Sequence, residues 1–293
     1  MAKWIQLLVT GITVGSIYSL IALGYVTIYR TSRIVNMAQG AFVMFGGFFA
    51  YSFLSELGLP YWLSAIFSIV GVVILSALMY LLVLRPLVKI SLVSIILATM
   101  ALSILFENVA LIRWGGYGKS VPAFSGDKAL FVGKVAVFPQ SLWVIGVMIV
   151  VLIGLWALTN RTRVGKQMTA TANDAGAASL SGVNTGRMII LAFAISAAIG
   201  ALGGIAVSPI NSTNYLSGGI YALSGFVAAI LGGWGSSTGA VVGGLALGII
   251  QSLVTGFLPA GYQDAVAYAI LILVLYLRPG GLLGVPQSEG EAG

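Results

Sequence analysis

Residues 188–263 read MIILAFAISAAIGALGGIAVSPINSTNYLSGGIYALSGFVAAILGGWGSSTGAVVGGLALGIIQSLVTGFLPAGYQ, a stretch of 76 residues without a charged side chain. About 20 apolar residues carry a helix across the hydrocarbon core of a bilayer, so this stretch is too long for one or two crossings. Pro209, the glycine cluster at 232–239 and Pro259 interrupt it. We therefore expect it to fold back within a membrane, as helices at about 188–209, 219–234 and 239–258, followed by a last span at about 262–277.

The rest of the chain contains five further apolar segments of about spanning length. Backbone polar groups must be satisfied internally in lipid, so each segment is expected to be helical. The sequence thus predicts an all-α, polytopic transmembrane bundle of nine spans, or eight as the alternative, forming one domain over residues 1–293, with short, broken or re-entrant helices in 205–240. Such irregular backbone belongs inside the bundle. The five spans are expected at about 5–28, 36–55, 61–84, 90–112 and 137–159.

Composition supports a membrane protein. Hydrophobic residues make up 59% of the 293 residues and charged residues only 7%, against about 25% charged residues in an average soluble domain. The absence of histidine and cysteine excludes His-dependent triads, thiol nucleophiles and the usual zinc, iron–sulfur and haem sites, so we expect no catalytic residue and no metal. The net charge of +7 is attributed to membrane orientation and not to nucleic-acid binding.

Basic residues are distributed unequally between alternate loops. By the positive-inside rule the richer side is cytoplasmic. This places the N-terminus and a loop at 113–134 outside, and the C-terminus and a loop at 160–187 inside. The richer side carries Arg30, Arg33, Arg85, Lys89, Arg161, Arg163, Lys166, Arg187 and Arg278, and the other carries Lys3, Arg113, Lys119, Lys128 and Lys134.

Polar and small residues within the spans are candidates for packing or for a transport path. Gly235, Gly239 and Gly243 recur every four residues and predict a smooth helix-packing face, with pathway lining as the alternative. Asn36 and Gln39 open the second span on one face of its first turn, where they either line a polar path or cap the helix and bond to a neighbour. Glu107 is an acid inside a span, six residues before Arg113, and is expected near the outer interface, where it snorkels or pairs locally, with a functional role as the alternative.

The inner loop is short and rich in alanine, which favours helix. Gly165 and Gly182 bracket a piece of about four turns, and we expect a helix within 163–184. Such a helix either presents a protruding surface to a soluble partner or simply connects two spans.

This loop resembles the cytoplasmic segment of branched-chain amino acid permeases of ABC importers, the LivH type. The family's pattern begins with a glycine, contains spaced alanines and ends in G-[IV]-N, and the corresponding residues here run from Gly165 to Gly182-Val183-Asn184. The resemblance extends over nearly the whole chain, through Gly15–Tyr25, Asn36–Gly40, Arg85-Pro86, Ala229–Ser236, Gly243–Gly248 and Arg278–Gly284.

The resemblance implies a multi-pass permease of the bacterial inner membrane. Its partners would be a second, identical or different, permease subunit, two cytoplasmic ATPases and an extracytoplasmic solute-binding protein that docks on the basic outer loop. The chain would carry no cofactor, with ATP and Mg on the ATPases. The loop would supply the ATPase-coupling helix through Gly165, Lys166, Ala172, Asp174, Ala177, Ala178, Leu180, Gly182 and Asn184.

Transport would proceed by alternating access along a path without a fixed charge. Candidate path residues are Asn36, Gln39, Gly40, Gly232, Gly233 and Ser236. Where the family has histidine before the glycine of the second span, this chain has Gln39, and the family includes permeases for amides and urea; these remain alternative substrates. An ion-coupled secondary carrier is a further alternative, although it needs ion-binding groups at mid-membrane. A membrane-embedded enzyme is disfavoured: Ser237 lies in a G-x-S-x-G pattern, but no base accompanies it.

Overall fold

The computed structural model describes residues 2–87, 91–126, 128–133, 135–278 and 280–283. Lys89, Asp127, Lys134, Pro279 and Gly284, on which parts of the orientation, docking and family predictions rest, lie outside these ranges.

The described chain is a helical bundle, which confirms the predicted class. Six helices are long and apolar enough to cross a membrane. The helices are α1 (Ala2–Ser32), α2 (Gln39–Tyr51), α3 (Tyr61–Met79), α4 (Arg85–Leu87), α5 (Leu92–Trp114), α6 (Pro139–Arg161), α7 (Arg163–Asn173), α8 (Ala175–Leu180), α9 (Thr185–Val207), α10 (Ser217–Gly232), α11 (Ser237–Phe257) and α12 (Gln263–Leu277). Two π-helical turns, Ser52–Glu56 and Tyr80–Leu84, extend α2 and α3, and a 3₁₀ turn, Ala260–Tyr262, precedes α12.

The predicted division of 188–263 agrees closely with α9, α10 and α11. The predicted total of eight to nine spans remains approximate, because α2, α10 and α12 have 13, 16 and 15 residues, fewer than a full crossing needs.

Helix α1 is the centre of the bundle. It contacts α6, α9, α10 and α11, and its residues from Gly15 to Ile28 are all buried. Small residues on α1 and α11 allow this contact: a Cβ on Gly15 would lie 2.7 Å from the Cα of Leu245, and one on Gly11 would lie 2.7 Å from the Cα of Ile249. The two backbones therefore touch over much of their length.

Helices α1 and α11 are antiparallel, and their ends define the two faces of the bundle. At the N-terminal face, Lys3 Nζ donates to the Gly256 carbonyl over 2.8 Å. At the C-terminal face, Arg30 Nη1 donates to Ser237 Oγ over 3.3 Å. The chain's last described residues lie at the C-terminal face too, because the Leu282 N–H donates to the Leu231 carbonyl at the end of α10.

A small antiparallel hairpin departs from the all-α expectation. Strands β1 (Leu130–Val132) and β2 (Val135–Val137) pair within and just beyond the predicted outer loop. Gln6 of α1 fixes the hairpin, since its side chain both donates to the Ala136 carbonyl and accepts from the Ala136 N–H. The hairpin thus lies at the N-terminal face.

Candidate translocation and coupling sites

The second helix begins inside the bundle. After α1 ends at Ser32, residues 33–38 run without helical structure, and Ile34, Asn36 and Ala38 are buried. Helix α2 then begins at Gln39 beside Gly24, eight residues before the end of α1. Eight residues of α-helix span about 12 Å, so the start of α2 lies that far inside the C-terminal face.

Gln39 joins three helices at this depth. Its Nε2 donates to the Ser196 carbonyl over 3.3 Å, and Ser196 Oγ lies 2.7 Å from its Oε1 and 2.8 Å from the Gly24 carbonyl. Both side chains are 0% exposed. Of the two roles predicted for Gln39, the geometry matches an interhelical bond in this conformation. Ser196 was missed by sequence reasoning, and its only signal was a hydroxyl within an apolar span.

Asn36 is not on the first turn of α2, contrary to the prediction that it shares that turn with Gln39. It lies in the non-helical segment because its Oδ1 accepts from the Ala38 N–H over 3.1 Å, a local turn that competes with helix. Its Nδ2 is buried and has no hydrogen-bond partner among the residues described. Thr99 of α5 anchors the same segment by accepting from the Met37 N–H.

Gly40 brings α2 against the first turns of α10. A Cβ on Gly40 would lie 2.5 Å from the Ala222 nitrogen and would also collide with the Gly218 carbonyl. The N-terminal ends of two short helices therefore meet in the interior of the bundle.

Gly232, Gly233 and Ser236 lie elsewhere, at the C-terminal face where α10 turns into α11. Gly233 has φ of +112° and Gly235 has φ of +91°, conformations that glycine adopts freely. Ser236 caps α11 by accepting from the Gly239 N–H over 3.0 Å. The six predicted path residues thus form two groups, one within the bundle and one at its C-terminal face.

The glycine stripe of α11 was predicted with one error. Gly235 precedes the helix, so it is not on the packing face. Gly239 and Gly243 pack against Gly232 of α10, as predicted for close helix approach, and a Cβ on Gly239 would lie 2.5 Å from the Gly232 oxygen. Gly248 lies on a different face of α11 and packs against α1.

The predicted single coupling helix is two helices, α7 and α8. Asp174 breaks the helix with an extended backbone (φ −154°, ψ 106°), and its side chain caps α8 by accepting from the Ala177 N–H over 2.9 Å. Gly165 is not a boundary; it lies in the first turn of α7, where a Cβ would be 2.6 Å from the Cα of Thr159. Gly182 does end the segment, with φ of +83°.

The predicted coupling residues divide into buried and exposed sets. Met168 packs with Met188 and Ala192 of α9 and so fixes α7 to the bundle. Leu180 is 93% exposed at the end of α8. Gly165 and Ala178 are buried and Ala172 is half-buried, whereas Lys166, Asp174, Ala177, Gly182 and Asn184 are exposed. Asn184 also caps α9 by accepting from the Arg187 N–H.

The loop at the N-terminal face is tied to the bundle. Lys119 pairs with Thr213 through two backbone hydrogen bonds of 2.8 Å, and its ammonium lies 5.3 Å from the centre of the Tyr51 ring. Arg113 pairs with Glu56 at 3.1 Å. Lys128 is exposed. Two of the three described basic residues of this loop are therefore already engaged.

Glu107 lies deeper than expected. It is seven residues before Trp114, the last residue of α5, which is about 10 Å along the helix. It does not pair locally at the interface: its Oε1 lies 3.0 Å from the position of a Cβ on Gly219, in the first turn of α10.

A family model described as branched-chain amino acid transport system, permease component, matches residues 7–275. The chain belongs to this family. The predicted family is therefore confirmed, and so is the prediction of a transport subunit in place of an enzyme.

Two curated relatives align along nearly their full length. The branched-chain amino acid permease protein BraD of Pseudomonas aeruginosa is 32% identical, with 98% of this chain and 97% of the relative covered. LivH of Escherichia coli K12 is 30% identical with the same coverage.

Two further similarities are more distant. The ribose import permease RbsC of Escherichia coli K12 is 24% identical over 62% of this chain and 59% of that protein. A solved structure of PsaBC from Streptococcus pneumoniae in complex with Fab is 18% identical, with a TM-score of 0.46. The alignment covers 94% of this chain and 90% of the chain in that structure.

Proposed function

We propose that the chain is the membrane-spanning permease subunit of an ATP-driven importer that moves branched-chain or related amino acids delivered by a solute-binding protein. The family match over residues 7–275 carries this proposal. A second permease subunit completes the membrane part. Two cytoplasmic ATPase subunits supply the energy and hold ATP and Mg.

The α7–α8 segment is the proposed contact with the ATPase. A fully exposed leucine on a water-facing helix is stabilised when a partner groove covers it, and Leu180 is 93% exposed. Lys166, Asp174 and Ala177 add an exposed surface around it. Met168, buried against α9, transmits movement of this surface to the bundle, because packed side chains move together.

The C-terminal face is proposed to be cytoplasmic. The described basic residues Arg30, Arg33, Arg161 and Arg163 lie at the ends of α1, α6 and α7 that meet there, and basic residues favour the cytoplasmic side. The N-terminus then lies outside and the C-terminus inside.

The binding protein is proposed to dock on the N-terminal face. Arg113 and Lys119 already have partners within the chain. Among the described basic residues of this loop, Lys128 is therefore the one proposed to pair with acidic residues on the lobes of the binding protein. Replacement of Arg113, Lys119, Lys128 and Lys134 together by neutral residues is expected to weaken uptake. Unchanged uptake removes this part of the proposal.

Alternating access would operate at the two groups of path residues. Around Gln39 and Gly40, the ends of α2 and α10 meet within the bundle, and the unpaired Asn36 Nδ2 offers a donor to a passing solute. Gly232, Gly233 and Ser236 would shape the cytoplasmic exit. Movement of α7 would open one group while the other stays closed.

The proposed substrate is inferred from the relatives. BraD and LivH are named for branched-chain amino acids, and the similarity to a ribose permease keeps amides, urea and other small polar solutes as the alternative. Specificity would reside mostly in the binding protein.

Ala177→Arg tests the contact with the ATPase. The added side chain projects from the exposed surface of α8, and we expect loss of co-purification with the ATPase subunits. Asn160→Arg is the matched control, since Asn160 is exposed on the last turn of α6. Equal retention of ATPase by both variants would refute the proposed contact.

A further inference from the structure

Glu107 is an acidic side chain within the membrane-spanning part of the described chain, and the proposed function does not yet use it. It lies level with the middle of α2, because the neighbouring Phe106 ring packs edge-on against Phe45 with centroids 5.6 Å apart. The chain's interior path was otherwise expected to carry no fixed charge.

The carboxylate has no basic partner in the part of the chain that the structure describes, where the ion pair found is Arg113 with Glu56. Its surroundings are instead the first turn of α10, close to the backbone N–H of Gly219. The positive end of a helix attracts a carboxylate, and the absence of a side chain at Gly219 permits the approach.

The flank around Glu107 is open in the single chain. Ile220 and Leu223 of α10 are 59% and 43% exposed. Asn108, the next residue of α5, is exposed and bonds only to its own helix, at the Ile104 carbonyl. An acid and an amide side by side on an outward surface at this depth are costly against lipid. This flank therefore faces protein or a water-filled cavity.

We propose that the flank formed by Glu107, Asn108, Gly219, Ile220 and Leu223 lines the translocation path, and that Glu107 binds the ammonium group of the solute in transit. The inference rests on the proposed function. Ile220 and Leu223 supply an apolar surface beside the carboxylate, which suits a short branched side chain. Glu107 thus selects solutes that carry a positive charge next to an apolar group.

The absence of cysteine from the chain makes site-directed labelling a direct test. Glu107→Cys and Ile220→Cys are introduced separately into the complete complex in liposomes, with the unmodified complex as background. A charged, membrane-impermeant thiosulfonate reagent is expected to modify both. Saturating leucine with the binding protein and ATP is expected to slow the modification of Ile220→Cys, which retains Glu107, several-fold.

Val150→Cys and Ile153→Cys are the matched controls. Both side chains are exposed near the middle of α6, at 69% and 58%, on a helix that packs against α1 and α9. They are expected to remain unmodified because they face lipid. Modification of Glu107→Cys no faster than the controls overturns the proposal.

Uptake measurements test the charge itself. Glu107→Gln is expected to lower leucine uptake by about tenfold or more, the effect of losing one charge-assisted hydrogen bond, while Glu107→Asp retains most of it. Wild-type uptake by Glu107→Gln contradicts the role. Modification in the absence of solute requires no particular cargo or energy source, so this part of the test distinguishes failure of the path proposal from failure of the ATP-driven importer.

Discussion

At the residue scale, buried polar side chains join the helices of this bundle. Ser196 shows this clearly, because its hydroxyl contacts both Gly24 of α1 and Gln39 of α2 from the middle of α9. In an apolar bundle such a side chain fixes the relative position of three helices, since any displacement leaves polar atoms unpaired.

Ser196→Ala is expected to lower stability by about 1–2 kcal/mol, the range for interhelical hydrogen bonds in membranes and for buried polar groups left unpaired. Thermal unfolding in detergent measures the change. Ser68→Ala is the control, because Ser68 is equally buried but its hydroxyl bonds only to Ser64 of its own helix. If the two variants lose the same stability, the joining role of Ser196 is wrong.

At the element scale, small residues set how closely the helices pack. Gly248 of α11 lies against α1, and a Cβ there would be 2.6 Å from the Gly11 carbonyl oxygen. Backbone atoms cannot rotate away as side chains do, so the two helices would have to separate along their contact.

Gly248→Ala is therefore expected to destabilise the protein by about 1–3 kcal/mol, as overpacking does, despite alanine's better helix propensity. Gly146→Ala is the matched control, because Gly146 also lies within a helix but has no atoms within 4 Å of an added Cβ. Gly146→Ala should be neutral or slightly stabilising. The comparison is made by thermal unfolding, and a neutral Gly248→Ala contradicts the packing account.

Much of the element pattern follows from the sequence, because charge-free length and interruptions by proline and glycine determine where helices can lie in lipid. The bounds of α9, α10 and α11 were predicted on this basis. The start of α2 inside the bundle was not predicted. Residues 33–38 are no more polar than a helix end, and that segment is held by tertiary contacts, such as the one between Thr99 and Met37. The break at Asp174 was not predicted either. It depends on one side-chain capping bond, whereas the alanine-rich composition of the loop favours a continuous helix.

At the scale of the whole molecule, the first and last described residues lie at opposite faces, so the orientation can be tested with two labels. Tyr117 is 87% exposed at the N-terminal face, and Asn173 is exposed at the end of α7. In intact cells, a membrane-impermeant maleimide should label Tyr117→Cys and should reach Asn173→Cys only after permeabilisation. The reverse pattern would invert the proposed orientation.

The surfaces proposed to contact partners are exposed in the single chain. Leu180 and the Glu107 flank are two such surfaces, and they lie on different parts of the molecule. The first is proposed to contact the ATPase and the second to line the solute path. A change at Leu180 should therefore impair coupling to ATP hydrolysis, and a change at the Glu107 flank should impair passage of the solute.

The most direct test of the central claim is the ATPase activity of the co-expressed complex in liposomes, with and without the binding protein and with leucine, isoleucine, valine or an amide. The account predicts that one class of solute, presented by the binding protein, stimulates hydrolysis, and that Ala177→Arg abolishes the stimulation while Asn160→Arg retains it. If the chain instead purifies without an ATPase and moves solute down an ion gradient, the importer account is contradicted.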